Sequence, residues 1–169
     1  MAEVAVRESP IGGLGVFTRE ARVEGEVVRE FVLGREVTRE RPLRPELGEL
    51  PEHCPLIDGH FYLVGPPDRH FNHSCDPNCY LRFEADRIEV VTRRSIAAED
   101  ELTIDYLINN SGGDSWPCHC GAARCRGETS HSFFTLPLEF QREYLPLLAP
   151  WFRKRHAREL AHLLGPPAA

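Results

Sequence analysis

Asn72-His73-Ser74-Cys75-Asp76-Pro77-Asn78 is the stretch on which the reading of this chain turns. It sets an amide, an imidazole, a hydroxyl and a thiol in a row, then closes on Asp-Pro-Asn, a turn signal. A carboxamide such as Asn72 donates and accepts together, which suits a ligand carrying both charges and equally suits a buried turn. His73 reads as a ligand contact or as a satisfied core histidine. Downstream, Glu101-Leu102-Thr103-Ile104-Asp105-Tyr106 ends on a tyrosine, and Cys118-His119-Cys120 with Cys125 gives a C-x-C-x4-C spacing. Upstream lies Gly13-Leu14-Gly15-Val16-Phe17. Small glycines there allow a bulky ligand close to the backbone, although a tight turn needs them as well.

Taken in order, from near the N-terminus to Gly127, these four blocks resemble the SET-domain protein-lysine methyltransferases that carry a post-SET zinc motif. The resemblance implies a mostly β fold with some α: small twisted sheets, a threaded pseudoknot in which one segment passes through a loop, and here a C-terminal helical tail. Such threading is rare in proteins generally. It also implies S-adenosylmethionine as cofactor, one structural zinc ion, and a lysine-bearing protein or peptide as partner.

Position by position, the backbone at Gly13, Leu14 and Gly15 matches the segment that lies along the cofactor. Asn72 and His73 match the pair that holds its amino-acid end and purine. Arg69 matches the arginine of the R-F-x-N-H pattern, with His70 where the family prefers an aromatic ring. Tyr106 matches the catalytic tyrosine. Ile104 stands at the position that governs product degree, where the family usually carries Phe or Tyr. Cys118, Cys120 and Cys125 match the post-SET cysteines, and Cys75 matches the fourth thiolate. Four thiolates make a closed structural site with no open catalytic position. His119 and His131 are nearby alternative ligands. Phe61 and Tyr62 are candidates for the channel wall. Ser130 replaces an aromatic residue frequent in the family, and Phe133 or Phe134 is the expected substitute.

The chemistry implied is an in-line displacement at a sulfonium methyl by a neutral amine. A free lysine titrates near pKa ~10.4, so the protein must favour the neutral form. An apolar channel beside a positive charge does so without a dedicated base. What remains for the protein is alignment, aided by oxygen atoms around the methyl group. Two alternatives share these motifs: an inactive SET-like module that binds the cofactor or a peptide, and an enzyme acting on a non-protein amine.

Composition is consistent with one domain. At 169 residues, with 41% hydrophobic and 27% charged residues, the chain can bury a core. A net charge of −6 argues against a general nucleic-acid binder and suits a basic polypeptide partner. No apolar run approaches a membrane span and no signal-peptide pattern opens the chain, so the expected location is cytoplasmic, without a membrane partner. There six cysteines read as metal ligands plus buried thiols, with Cys54 and Cys79 left over. The three-glycine dinucleotide fingerprint is absent. Lys154 is the only lysine, which a GC-rich genome explains as readily as avoidance of self-modification.

The expected organisation is a SET domain over 1–107, a zinc segment over 108–130 and a helical extension over 131–169. Strands are expected at Val4–Val6, Val16–Thr18 and Val27–Leu33, with a loop or short helix from Gly34 to His53. Asp58-Gly59 predicts a hairpin turn, and Tyr80–Phe83 with Ile88–Val91 a second hairpin. Helices are expected over Leu138–Leu145 and Trp151–Leu164, the latter stopped by Gly165-Pro166.

Overall fold

The computed structural model describes residues 4–129 and 132–163. Strands β1 (Val4–Glu8) and β2 (Leu14–Thr18) form an antiparallel hairpin whose connection turns at Gly13, at φ +54°. Then come β3 (Val27–Glu30) and β4 (Leu33–Val37). The expected single strand over this stretch is broken because Phe31 turns into the core while Val32 stays exposed. The Val32 N–H donates to the Asp68 carboxylate, which also pairs with Arg29 and fixes the corner.

After β4 the chain runs through two short 3-10 turns, Pro45–Leu47 and Pro51–His53. Their anchor is Glu49, a buried carboxylate held by Arg35 and Arg44. The Arg44 hydrogen bond comes first among the causes that hold the Glu49 carboxyl down at about 2, against the opposing effect of desolvation. The predicted hairpin forms from β5 (Leu56–Ile57) and β6 (His60–Val64), with Asp58 at φ 49° and Gly59 at φ 88°. Both central residues at positive φ match the twist of the flanking strands.

A two-residue strand, β7 (Asn72–His73), precedes the hairpin of β8 (Cys79–Phe83) and β9 (Ile88–Thr92). Strand β10 (Glu101–Ile104) follows, and β11 (Trp116–Pro117) pairs with β12 (Glu128–Thr129). The strands make four small sheets, in the orders β1-β2-β10-β7, β3-β9-β8, β4-β6-β5 and β11-β12. Val16, Val28, Val64, Phe71, Val90 and Leu102 fill the core between them.

Among the described residues the tail holds three short α-helices, α1 (Leu138–Tyr144), α2 (Pro150–Arg155) and α3 (Ala157–Leu160). The helix expected over Trp151–Leu164 is therefore interrupted at His156, whose φ of −110° is not helical. Its ring packs against both Phe134 and Phe152, at centroid distances of 5.2 and 4.6 Å. Leu164 and the Gly165-Pro166 stop fall outside the described residues. The tail has its own apolar core, including Leu107, Phe133, Phe140, Tyr144, Phe152 and Leu160. Leu107 belongs to the strand-rich body, so the tail packs on it directly. Burying a side chain such as Phe152 is worth about 1.5–3 kcal/mol. Among the described residues no helix is long and apolar enough to cross a membrane.

Candidate functional site

The two polar blocks of the sequence meet through backbone pairing. Strand β7 lies parallel to β10, with Asn72 opposite Thr103 and His73 opposite Ile104, and the Ser74 N–H donates to the Ile104 carbonyl at 2.9 Å. Asn78 locks the register from the other side: its Nδ2 donates to the Glu101 carbonyl and its Oδ1 accepts the Thr103 N–H, both at 2.8 Å. Residues thirty positions apart thereby share one small surface.

Asn72 is the hub on the glycine side. Its Nδ2 faces the carbonyls of Gly12 (3.3 Å) and Leu14 (3.1 Å) and the Glu101 carboxylate (2.8 Å). Three acceptors around one NH2 fix the amide orientation and leave Oδ1 as the group without a protein donor among the described residues. Glu101 also takes the Ser9 hydroxyl. Gly15 must be glycine for this arrangement, because a Cβ there would stand 2.2 Å from the Glu101 carboxylate. A Cβ on Gly13, by contrast, would meet open space, and its positive φ is the constraint. The exposed Leu14 side chain sits between them.

His73 is buried and both ring nitrogens are engaged by the protein. Nδ1 accepts the Tyr106 backbone N–H at 3.2 Å, so the ring proton resides on Nε2, 3.4 Å from the Cys75 sulfur. Burial dominates its titration and pulls the imidazole down to about 4, with Asp105 opposing and Arg126 assisting. It is neutral at physiological pH. Its side chain thus holds Tyr106 and Cys75 in place.

Tyr106 donates its hydroxyl to the Phe71 carbonyl at 2.7 Å, while its ring, 37% exposed, lies 5.3 Å from His73 and 6.4 Å from Trp116. Desolvation of the phenol, with a smaller push from Glu101, raises it to about 12. It is a phenol, never a phenolate, near neutrality. Tyr106, Ile104, Asn72 and Arg69 line one cleft of about 820 Å³, with Phe61, Trp116 and Trp151 on its walls. Phe61 thus lines the cleft and Tyr62 does not. Arg69 is exposed and its Nε reaches the neighbouring His70 ring at 3.3 Å.

Sequence reasoning missed two parts of this wall. Trp116 comes before the first zinc-segment cysteine, whereas the aromatic substitute was expected at Phe133 or Phe134. Phe133 is fully buried in the tail, and Phe134 stacks on Phe152. Ser130 and His131 lie outside the described residues. The second part is Cys54, expected to be buried like Cys79 but only partly covered and facing the cleft.

Cys75, Cys118, Cys120 and Cys125 converge, all four sulfurs lying within 4.8 Å of one another. The Cys75 and Cys118 sulfurs are 3.7 Å apart, too far for a disulfide near 2.05 Å. Four sulfurs held tetrahedrally at ~2.3 Å from one zinc stand about 3.8 Å apart, so the spacing fits that ion. Backbone N–H groups already aim at the sulfurs, Arg126 at Cys75 (3.4 Å), Cys75 at Cys120 (3.5 Å) and Gly127 at Cys125 (3.5 Å). Burial raises the Cys75 thiol well above its ordinary range and Cys118 to about 11. At Cys120 burial is outweighed by backbone donors, the Cys75 N–H foremost, and the thiol falls to about 7. Burial opposes the ionised forms of Cys75 and Cys118, and a bound divalent cation would favour them.

Comparison with known proteins agrees with this geometry. The SET domain family matches residues 13–107, more than half of the chain. Histone-lysine N-methyltransferase TRX1 of Oryza sativa subsp. japonica is 30% identical over 141 residues, covering 73% of this chain and 13% of its own length. Histone-lysine N-methyltransferase ash1 of Drosophila melanogaster is 32% identical over 130 residues, covering 68% of this chain and 6% of its own. Human histone-lysine N-methyltransferase 2D is 41% identical over 69 residues, 38% of this chain and 1% of its own. The chain therefore spans a small part of these curated relatives. The solved structure of Plasmodium falciparum PFL0690c shares 20% identity at a TM-score of 0.49, over 63% of this chain and 94% of that one. With the paired β7 and β10 blocks and the glycine turn all inside the matched span, the chain belongs to the SET-domain family.

Proposed function

We propose that this protein transfers a methyl group from S-adenosylmethionine to the side-chain amine of a lysine in a protein or peptide. The observation that carries the reading is the parallel pairing of β7 with β10, which sets Asn72 and Tyr106 on one cleft. Bound S-adenosylmethionine supplies an electrophilic methyl group on a sulfonium. The chain's own residues bind and orient. The unengaged Asn72 Oδ1 accepts from an ammonium, and the glycine turn that its Nδ2 holds offers backbone from Gly13 to Gly15. Arg69 adds an exposed cation at the same cleft.

Tyr106 acts through its oxygen as an acceptor and an orienting group. With its phenol raised to about 12 it cannot serve as the anionic base at neutral pH. The apolar walls around it, Ile104, Phe61 and Trp116, favour the neutral amine over the ammonium. The four-cysteine cluster holds one structural zinc, and its role is to fix the segment that carries Trp116 beside Tyr106. The exposed edge of β5 offers a place for an extended substrate strand to pair.

Incubation with labelled S-adenosylmethionine and a matched host lysate, read by mass spectrometry, tests the proposal. Methyl-lysine on discrete proteins is the expected result. Cofactor binding without transfer would favour the inactive binding module, and label on a small amine would favour the non-protein substrate.

A further inference from the structure

His73 stands between the four-cysteine cluster and the segment that carries Tyr106. It lies in β7, two residues before Cys75, and its partner across the parallel pairing is Ile104, two residues before Tyr106. Its imidazole is buried and turns one nitrogen to each side. Nδ1 accepts the Tyr106 backbone N–H at 3.2 Å, and Nε2 stands 3.4 Å from the Cys75 sulfur. With Nδ1 an acceptor, Nε2 carries the proton and donates.

Cys75 is supplied differently from its companions. Cys120 and Cys125 receive backbone N–H groups, from Cys75 and Gly127. Cys75 receives the Arg126 N–H at 3.4 Å and the imidazole N–H as well. It is also fully buried, so solvent cannot stand in for the ring. A metal-bound thiolate is a charged acceptor, and a donor in this outer layer is worth about ten- to a hundredfold in metal affinity. Tyr106 for its part is fixed at two points, its amide by the imidazole and its hydroxyl by the Phe71 carbonyl at 2.7 Å. The ring is rigid, so neither nitrogen moves without the other.

We propose that His73 is a positioning residue with one nitrogen for each site: Nε2–H steadies the Cys75 thiolate on the metal, and Nδ1 holds the backbone of Tyr106. This rests on the reading of the cluster as a zinc site and of Tyr106 as the orienting group, and it adds a side chain that serves both.

Two substitutions in the full, zinc-loaded chain separate the nitrogens. His73→Asn sets an amide oxygen near the place of Nδ1 and leaves nothing at Nε2. His73→Gln brings an amide N–H near the place of Nε2 and leaves nothing at Nδ1. Zinc retention is read by competition with a chromogenic chelator. The Tyr106 amide is read by hydrogen exchange in protein labelled with 15N-tyrosine, which carries four tyrosines. Loss of one signal in Tyr106→Phe identifies it, and the other three serve as controls. The expected result is that His73→Asn gives up zinc about tenfold more readily while its Tyr106 amide exchanges as in the parent. His73→Gln should keep zinc like the parent while its Tyr106 amide alone exchanges about tenfold faster.

Any other pairing overturns the proposal. Variants that both fail on both counts make His73 a core residue and nothing more, and variants that both match the parent make it dispensable. A reading on the parent covers the case in which neither variant folds. With cadmium-113 loaded in place of zinc, a coupling from the metal nucleus to an imidazole N–H proton is expected, and its absence overturns the proposal, as does a parent that takes up neither ion. None of these readouts uses turnover, so the methyl-transfer reading fails or stands separately, on the lysate labelling.

Discussion

Arg126 grips Asp105 with both terminal nitrogens of its guanidinium, Nη1 to Oδ2 at 2.9 Å and Nη2 to Oδ1 at 3.1 Å, in a pair almost wholly removed from solvent. Arg126 follows the last cysteine of the four-cysteine cluster and Asp105 precedes Tyr106. The pair is a direct mechanical link between the cysteine segment and the segment that carries Tyr106. Removing one partner of a buried pair leaves the other charge uncompensated, at a cost of about 3–5 kcal/mol. Arg126→Ala should lower the stability by that order, read as a shift of the urea midpoint with little change in slope. A midpoint within error of the parent would show that the contact is ornamental.

Metal content is the second expectation. Zinc analysis should return one ion per chain, and Cys118→Ser or Cys120→Ser should release it. The segment is also held by Arg124, which pairs with Glu143 of α1 at 2.7 Å and lies over the Phe140 ring at 4.3 Å. Loss of zinc should therefore impair methyl transfer more than global folding. Full activity in a reduced, metal-free preparation would contradict the assignment.

Asn72→Ala should weaken S-adenosylmethionine binding by about tenfold or more, because it removes a polar contact to a charged ligand end and also frees the Gly12–Leu14 turn. Isothermal calorimetry on folded protein checks this. Unchanged affinity would take Asn72 out of the site.

Tyr106→Phe should leave cofactor affinity largely intact while lowering turnover by roughly one to three orders of magnitude, the scale of one lost transition-state contact. Because the phenol sits near 12, the parent's rate should show no break from this group between pH 7 and 9. A variant that turns over like the parent would remove the hydroxyl from the chemistry.

Ile104 lines the cleft beside Tyr106 and carries no hydroxyl. It can neither anchor a blocking water nor crowd a methylated amine as a tyrosine would. The expected product carries more than one methyl group on the same lysine, and Ile104→Tyr should restrict it. Intact-mass time courses on a single-lysine peptide decide the matter. Arrest at one methyl with enzyme and cofactor in excess would sink the idea.

Much of this was legible in the sequence because it is local. Asp58-Gly59 names its own turn, and the alternation in Tyr80–Phe83 and Ile88–Val91 names a hairpin. The C-x-C-x4-C spacing brought Cys118, Cys120 and Cys125 together, and the resemblance supplied Cys75. What was illegible depends on packing between distant segments. Nothing local to His156 says that its ring will pack against Phe134 and Phe152 where the helix breaks. The break at Phe31–Val32 arises from a carboxylate at Asp68. Trp116 and Trp151 reach the cleft only because the cysteine segment and the tail fold back onto the body, and no periodicity records that. His73 was legible as a residue of consequence, but that both its nitrogens are engaged follows from the positions of Tyr106 and Cys75.

Cys75 lies two residues past the β7–β10 pairing, and its three companions come from far downstream. A slip of one residue in that pairing would carry the Cys75 sulfur away from the others and leave three thiols with no fourth corner. Retention of the zinc proposed for this cluster would therefore gauge strand register: a preparation with one ion per chain would also have brought Asn72 and Tyr106 to the same cleft.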